Sequence, residues 1–226
     1  MATGTLYIIS TPIGNLSDIS FRALDTIRKC SLILSEDTRE TAKIFQKFDI
    51  SVPQISYRDQ NHERVYPSIL GTLEEGKDIA LISDSGTPLI SDPGFKLIRG
   101  LIEKNINVTT IPGPSAIISA IVGSGLPTDK FSFLGFLPKS KGQIEKLLSS
   151  YGKLEATLVI YESPMRLVKL LDAILEILGN RKICVAGDMT KMYEKYARGS
   201  VTEVSEVFKS QKPKGEYVVV IAKEGF

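Results

Sequence analysis

Histidine is almost missing from this sequence of 226 residues, in which His62 is the single example. One histidine cannot form a zinc site of the His-cluster type, and a Ser-His-Asp triad would have to run through that residue. Cysteine is scarce as well, and Cys30 and Cys184 lie so far apart in the sequence that we expect buried, reduced thiols rather than a disulfide. These shortages argue against a hydrolase and predict a protein without a metal ion.

Long apolar runs are also missing. No apolar stretch approaches the roughly 20 residues needed to cross a bilayer, and residues 1–5 lack the basic and apolar segments of a secretion signal. We therefore expect a cytoplasmic protein with no membrane partner. Charged residues make up 24% and hydrophobic residues 42% of the chain, as is usual for a globular protein. The small positive charge of residues 116–226 permits a phosphate-rich partner without requiring one.

The common phosphate-binding loops are a third absence. The first predicted strand, residues 6–9, runs into a loop at 11–16 and then into a helix. That loop contains neither Gly-x-Gly-x-x-Gly nor Gly-x-x-x-x-Gly-Lys-Ser/Thr. We therefore reject NAD and nucleoside triphosphates as its ligands.

The sequence does contain a regular alternation of apolar strands and amphipathic helices. Residues 1–115 predict five strand-helix units, which indicates a mostly parallel, five-stranded, doubly wound sheet. Residues 116–226 predict a second α/β domain with a smaller, mixed sheet, beginning with an apolar helix at 116–122 that we expect to be buried. A later helix is predicted to start at Pro164 with Ser163 as its cap. We expect a ligand in the cleft between the two domains.

One polar loop of the first domain, residues 83–94, follows the predicted strand 79–82. It runs to about a dozen residues, whereas such connections usually have roughly 2–6. Its small residues allow a ligand to approach the backbone, while Pro88 and Pro93 restrict its freedom. Because ligands of open α/β sheets bind beyond the carboxyl ends of the strands, this is the first candidate binding loop.

Two other strand ends carry candidate groups. Glu36 and Asp37 follow the predicted strand 32–35, where an α/β site would be lined, but Asp37 could equally cap the next helix. Both interpretations stay open at this point. Ser115 is expected to cap the apolar helix of the second domain, whose first amides favour an anionic group.

Seven short motifs occur in order along nearly the whole chain. They are TPIGNL at 11–16, EDTR at 36–39, SDSGTP at 83–88, DPG at 92–94, PGPS at 112–115, YESP at 161–164 and KGE at 214–216. Together they resemble the signatures of the ribosomal RNA small subunit methyltransferase I family, which belongs to the tetrapyrrole methylase superfamily. The chain departs from the family pattern at Met165, Gly187 and Asp188, positions that we associate with substrate handling.

The resemblance implies a fold, a reaction and a cofactor. The fold is two α/β domains of the tetrapyrrole methylase type in a homodimer, with S-adenosylmethionine (SAM) in the cleft between the domains. The reaction is methylation of the ribose 2′-hydroxyl of a cytidine in the small-subunit (16S) ribosomal RNA. The residues expected to hold SAM are Pro12, Gly14, Asp84, Ser85, Gly86, Thr87, Pro114, Ser115, Ala116 and Tyr161.

A ribose hydroxyl is a poor nucleophile at neutral pH and would profit from a base or a polarising cation. The predicted strand ends offer Glu36, Asp37, Glu162 and Lys191. We expect Glu36 or Asp37 to take or orient the proton, and Lys191 to stabilise the developing oxyanion.

RNA contact would fall to basic side chains, namely Arg39, Arg58, Arg64, Lys139, Lys141 and Arg166. No aromatic-basic RNA-binding motif is visible, so we expect recognition of an assembled subunit by its shape. Two alternatives stay open: a tetrapyrrole-type small-molecule methylase, and a relative that binds SAM or RNA without catalysis.

Overall fold

A computed structural model describes residues 2–210 and 213–226 of the chain. The chain divides into two compact units, Met1–Ser115 and Ala116–Phe226. Each unit has its own β-sheet with its own buried apolar side chains.

The first unit alternates strands and helices from end to end. Its strands are β1 (Thr5–Ile9), β2 (Leu32–Ser35), β3 (Gln54–Ser56), β4 (Ile79–Ile82) and β5 (Asn107–Ile111). Its helices are α1 (Phe21–Lys29), α2 (Thr38–Lys47), α3 (His62–Glu74) and α4 (Phe95–Glu103). The strand order is β3-β2-β4-β1-β5, and every pair in it is parallel. The predicted five-stranded parallel sheet is confirmed.

Helices cover both faces of this sheet. Ile33 and Ile82 face a cluster with the apolar side chains of α1 and α2, whereas Leu34 and Leu81 face a cluster with those of α3 and α4. All four residues of the central strand β4 are buried, which explains why its sequence is continuously apolar rather than alternating. Because helices cover both faces, polar loops reach solvent at the ends of the strands.

The second unit has a mixed sheet. Its strands are β6 (Phe131–Phe136), β7 (Thr157–Glu162), β8 (Lys182–Gly187), β9 (Lys195–Ser200) and β10 (Tyr217–Ile221). Its helices are α5 (Ala116–Ser124), α6 (Lys141–Tyr151), α7 (Leu167–Leu178) and α8 (Val201–Ser210). The order is β6-β7-β10-β8-β9, with β6 parallel to β7 and the other pairs antiparallel. The mixed sheet is confirmed, but it has as many strands as the first and is not smaller.

Two local expectations in this unit were wrong. Helix α5 lies against β8, β9 and β10 through Ile117 and Ile121, but Ile118 and Val122 are exposed, so the helix is not buried all round. Helix α7 begins at Leu167, not at Pro164. Residues 164–166 form a turn instead, because the backbone N–H groups of Arg166 and Leu167 both donate to the Ser163 carbonyl.

Both cysteine thiols are free and buried, as predicted. Burial raises the pKa of the Cys30 thiol to about 12 and that of the Cys184 thiol to about 11. Across residues 2–210 and 213–226, no helix is both long and apolar enough to cross a membrane. In the same residues, no three His, Cys, Asp or Glu side chains are grouped so that they could hold a metal ion.

Candidate active site

Four loops of the first unit meet at one edge of its sheet. Pairing in register places Ile9 of β1 beside Ile82 of β4 and Ile111 of β5, and Ser35 of β2 beside Ile82. The four strands therefore end level with one another. The loops that follow, at 10–15, 36–37, 83–94 and 112–115, contain every site residue predicted in this unit except the arginines.

The loops after β1 and β4 are bonded directly to each other. The Thr11 N–H donates to the Gly86 carbonyl at 2.8 Å, and the Gly86 N–H donates back to the Thr11 carbonyl at 3.1 Å. The Thr11 hydroxyl also donates to the Ser83 carbonyl at 3.1 Å. Gly86 has a φ of +79°, and a Cβ there would lie 3.3 Å from the Ile13 side chain. The contact therefore requires glycine for both its backbone conformation and its lack of a side chain.

Thr87 connects three of the loops through its hydroxyl. That hydroxyl donates to the Pro114 carbonyl at 3.1 Å and lies 3.1 Å from the Ser10 hydroxyl. Ser10 also packs against Gly113, where a Cβ would come within 3.0 Å of the Ser10 Cβ. The predicted SAM-binding residues Gly86, Thr87 and Pro114 are thus held by hydrogen bonds and close packing.

The tip of the 83–94 loop is exposed, unlike the packed base of the same loop. Asp84 and Ser85 are exposed, whereas Gly86 and Pro88 behind them are buried. Leu89 and Ser91 have φ values of +71° and +67°, and such left-handed conformations of non-glycine residues cost on the order of 1 kcal/mol each. The loop therefore presents polar groups to solvent on a backbone that its neighbours hold in place.

A group of carboxylates lies beside this loop. The Asp37 N–H donates to Asp84 Oδ1 at 2.8 Å, which ties the start of α2 to the 83–94 loop beside Glu36. Burial, followed by the charge of Asp84, raises the pKa of Glu36, and burial also raises the pKa of Asp84. Burial and the charge of Glu36 raise the pKa of Asp92 to about 6, against a hydrogen bond from Ser83. These groups accept protons more readily than ordinary carboxylates do.

Asp37 differs from its neighbour Glu36. Its side chain caps α2 by accepting from the Arg39 N–H at 2.9 Å, and it forms an ion pair with the Arg39 guanidinium at 2.5 Å. Hydrogen bonds from Arg39 hold the pKa of Asp37 well below its usual value. Sequence analysis left open whether Asp37 lines a site or caps the next helix, and its side chain caps α2.

The three arginines predicted to contact RNA in this unit are all exposed, but they differ in their partners. Arg58 is exposed, but its Nε donates to the Glu36 carbonyl at 3.1 Å, so it borders the carboxylates. Arg39 is exposed and paired with Asp37. Arg64 is exposed on α3.

In the second unit, Glu162 ends β7 and is buried. Its Oε1 accepts from the Ser163 N–H at 2.8 Å, and its Oε2 lies 3.5 Å from the Arg166 guanidinium without a hydrogen bond. Arg166 donates to the carbonyls of Leu137 and Pro138 at 2.9 and 2.8 Å. The predicted catalytic Glu162 thus faces the protein interior, and the predicted RNA contact Arg166 binds the chain's own backbone.

Lys191 lies in the loop between β8 and β9. Its Nζ lies 2.6 Å from Glu216 Oε2 in an exposed ion pair. Two residues of this loop, Asp188 and Thr190, have φ values of +47° and +65°. A side chain at Gly215 would collide with the Asp188 carboxylate, so the loop packs closely against the start of β10.

The remaining predicted residues lie on separate elements. Tyr161 of β7 contacts Phe133 edge-on and Phe136 at a tilt, with ring centroids 4.8 and 5.5 Å apart. Lys139 is exposed, and Lys141 pairs with Glu176 at 3.0 Å. Pro12 is buried and Gly14 exposed after β1, and the half-buried Ser115 and Ala116 lie at the start of α5.

Sequence reasoning did not select Ser10, Thr11 or Asp92 as site residues. Ser10 and Thr11 are buried polar residues that join the loops, and Asp92 adds a third carboxyl beside Glu36. Ser10 and Thr11 could have been selected from the sequence, because they are a polar pair directly after an apolar strand. Nothing in the sequence indicates that the 83–94 loop bends back to bring Asp92 to Glu36.

Residues 5–205 match the family of tetrapyrrole (corrin/porphyrin) methylases. Two α/β units with binding loops at the carboxyl edge of a parallel sheet are consistent with that class. Because the match spans most of the sequence, the chain belongs to the tetrapyrrole methylase family, whose members are methyltransferases.

Within the family, the chain is similar to proteins named ribosomal RNA small subunit methyltransferase I. The one from Thermotoga maritima is 45% identical over 219 residues, 97% of this chain and 98% of that protein. The one from Halalkalibacterium halodurans is 43% identical over 222 residues, 98% of this chain and 77% of that protein. These matches confirm the resemblance carried by the seven motifs.

A solved structure with the same fold is uroporphyrin-III C-methyl transferase from Thermus thermophilus, complexed with S-adenyl homocysteine. Its TM-score to this chain is 0.64, at 14% identity and with 97% of each chain covered. At that identity the match shows the fold alone, and it confirms the predicted architecture of two α/β units.

Proposed function

We propose that this protein transfers a methyl group from SAM to the ribose 2′-hydroxyl of a cytidine in small-subunit ribosomal RNA. The observation that carries the proposal is identity of 38–45% over nearly the whole chain to relatives named for that RNA. We place the reaction in the cytoplasm, as expected from the sequence, and we expect the enzyme to act as a homodimer, as the resemblance implies.

The loops of the first unit have groups that suit this cofactor. Asp84 offers an exposed carboxylate that can accept hydrogen bonds from an amine or a ribose, and Ser85 offers exposed polar atoms next to it. Gly86 and Thr87 hold this tip in place through the loops after β1 and β5. When bound, SAM would supply an electrophilic methyl carbon that needs no activation by the protein.

The protein therefore has to align the groups and accept a proton. We assign the proton acceptor to Glu36 rather than Asp37. Its raised pKa brings Glu36 closer to neutral pH, whereas the ion pair with Arg39 makes Asp37 a weak base. Lys191 remains our proposed cation for the developing oxyanion, and its Nζ is held 2.6 Å from Glu216 Oε2.

The direct test incubates the purified protein with labelled SAM and small ribosomal subunits that lack the modification. Label in the ribose of a cytidine of 16S RNA is the expected result. Label only in an added porphyrinoid would instead indicate a small-molecule methylase. Protein that binds SAM but labels neither substrate would indicate a relative without catalysis.

The assignment of Asp84 has its own test. Asp84→Ala should weaken SAM binding roughly tenfold or more, because hydrogen bonds to a charged group are lost. Calorimetry measures the affinity, with Asp129→Ala as the control, since Asp129 is also exposed but lies in the second unit. Unchanged affinity in a folded Asp84→Ala protein would remove Asp84 from the SAM site.

A further inference from the structure

One edge of the second sheet collects four large apolar side chains that point into solvent. Strands β6, β7 and β8 run in the same direction, because β7 and β8 are both antiparallel to β10 and β6 is parallel to β7. Their carboxyl ends and the start of β10 therefore share an edge. The loops at this edge, at 137–140, 163–166, 188–194 and 213–216, come from four separate parts of the sequence.

The exposure of the four side chains is unusually high. Phe136 is 59% exposed, Met165 88%, Met192 89% and Tyr193 77%. We call these four residues the stacking surface. Phe136 and the loop between β8 and β9 are three strand positions apart, or about 14 Å at roughly 4.8 Å per strand. The surface is therefore long enough for several stacked bases, which are about 3.4 Å apart.

The backbone holds these side chains outward. A register shift between Phe133 and Phe136, with Gly135 at a φ of +64°, turns Phe136 to the same face as Phe133, where both contact Tyr161. The Arg166 guanidinium, bonded to the Leu137 and Pro138 carbonyls, ties the loop that contains Met165 to the loop after Phe136. The first two loops of the edge therefore form one connected platform.

The loop of Met192 and Tyr193 is held in a similar way. The Asp188 N–H donates to the Glu216 carbonyl at 3.1 Å, and the Lys191 N–H donates to the Asp188 carbonyl at 3.0 Å. Met189, by contrast, is buried in the same loop. The two exposed side chains thus lie at the tip of a loop that its own hydrogen bonds and one buried residue fix to the sheet.

The charges at this edge select the ligand. Lys139 and Lys214 are exposed beside the apolar residues, and neither side chain has an ion pair with another residue of the described ranges. Four carboxylates share the edge: the buried Glu162 faces Arg166, the exposed Glu216 is paired with Lys191, Glu194 accepts from the Thr190 N–H, and Asp188 is half-buried. Aromatic and apolar side chains next to unpaired ammonium groups suit single-stranded RNA. Its bases stack on such side chains, and its phosphates bind lysines.

We infer that the stacking surface binds an unpaired stretch of the RNA substrate, with Lys139 and Lys214 on its phosphates. The inference rests on the proposed function and deepens it, because it names residues that would recognise the substrate RNA. These residues take no part in the chemical step. They act on substrate binding, so their loss affects KM rather than kcat.

The test is the double variant Met192→Ala/Tyr193→Ala, which changes only exposed side chains. We expect KM for unmodified small subunits to rise roughly tenfold or more, with kcat and SAM affinity nearly unchanged. Binding of a labelled single-stranded oligoribonucleotide, measured by fluorescence anisotropy, should weaken to a similar extent. The matched control is Tyr151→Ala, because Tyr151 is exposed at the far end of α6, near the amino end of β7.

The two measurements separate the two proposals. If the wild type binds the oligoribonucleotide and the double variant binds it poorly, the inference stands even when no RNA is methylated. If both proteins bind it equally, or if Tyr151→Ala has the same effect, the inference is overturned. It is also overturned if the variant loses affinity for subunits but keeps it for the oligoribonucleotide, because the surface then contacts ribosomal protein.

Discussion

Among single residues, the neighbouring carboxylates Glu36 and Asp37 differ in proton affinity because their surroundings differ. Glu36 and Asp37 are adjacent at the end of the same strand, yet burial raises the pKa of one and an arginine lowers that of the other. The sequence places both groups at the strand end, but it cannot distinguish a base from a helix cap. The partner of each side chain decides the difference.

Glu36→Gln should lower kcat for methyl transfer about a hundredfold, since the amide has nearly the shape of the carboxyl group but cannot take a proton. Asp37→Asn is the matched variant. It should change kcat only a few-fold, because asparagine caps a helix as well as aspartate does. Single-turnover assays at saturating SAM measure both. If Asp37→Asn is the inactive variant and Glu36→Gln is not, the assignment of the base is reversed.

Asp92 provides a prediction about pH. Its pKa is raised to about 6 in the folded protein, from about 4 in an unfolded chain, so the folded state holds this proton more tightly. Protonated Asp92 therefore stabilises the folded state fully below about pH 4, and this stabilisation is lost as the pH rises through about 6. Asp92→Asn removes the charged form and should stabilise the protein at pH 7 by about 1 kcal/mol, after allowance for partial exposure.

Urea unfolding of this variant at pH 4 and pH 7 measures the effect. At pH 4 the gain should have largely disappeared. Asp129→Asn, in an exposed loop of the second unit, is the control and should have little effect at either pH. A gain that is equal at both pH values would show that the charge of Asp92 is not the cause.

At the scale of elements, the binding loops form a unit because the strands before them end level. Apolar periodicity predicted each strand of the first sheet, and the buried register then brought the loops together. Helix starts were less predictable. Ser20 caps α1 through its hydroxyl, whereas the Ser163 hydroxyl donates to Glu162 and α7 begins only at Leu167.

Thr87→Val should loosen the three loops that this hydroxyl connects. Loss of the bond to the Pro114 carbonyl and of the contact with Ser10 should cost about 1 kcal/mol of unfolding free energy and weaken SAM binding. The control is Thr72→Val, which removes an exposed hydroxyl bonded to Ser68 within α3. Urea unfolding and calorimetry measure the two effects, and equal SAM affinity in all three proteins would exclude a role for the Thr87 contact in binding.

Across the whole molecule, the formal net charge of +2 conceals an uneven distribution of acidic and basic side chains between the two units. The carboxylates of the first unit lie at the edge of its sheet with Asp84 exposed, whereas free lysines lie at an edge of the second sheet. A cationic, nucleoside-like cofactor suits the former and a polyanion the latter.

Binding of the substrate RNA should therefore depend on salt. Lys139→Ala and Lys214→Ala should each reduce the slope of log affinity against log salt concentration by roughly 0.7, the value for one phosphate of a single strand. Lys153→Ala is the control, because Lys153 is exposed but lies between α6 and the start of β7. Filter binding of small subunits at several salt concentrations gives the slopes. Parallel lines for all four proteins would remove the two lysines from the RNA interface.

The parallel five-stranded sheet, the mixed second sheet, the family and the reduced cysteines could all be predicted from the amino-acid sequence. Each of these follows from patterns that are local along the chain, namely apolar periodicity, ordered motifs and the scarcity of a residue type. Three other features required the folded chain: the charge of Glu36 acts on Asp92, Glu162 is buried, and Phe136, Met165 and Tyr193 share an edge. Strand order and register set such contacts, because they join loops that are tens of residues apart and that no local pattern connects.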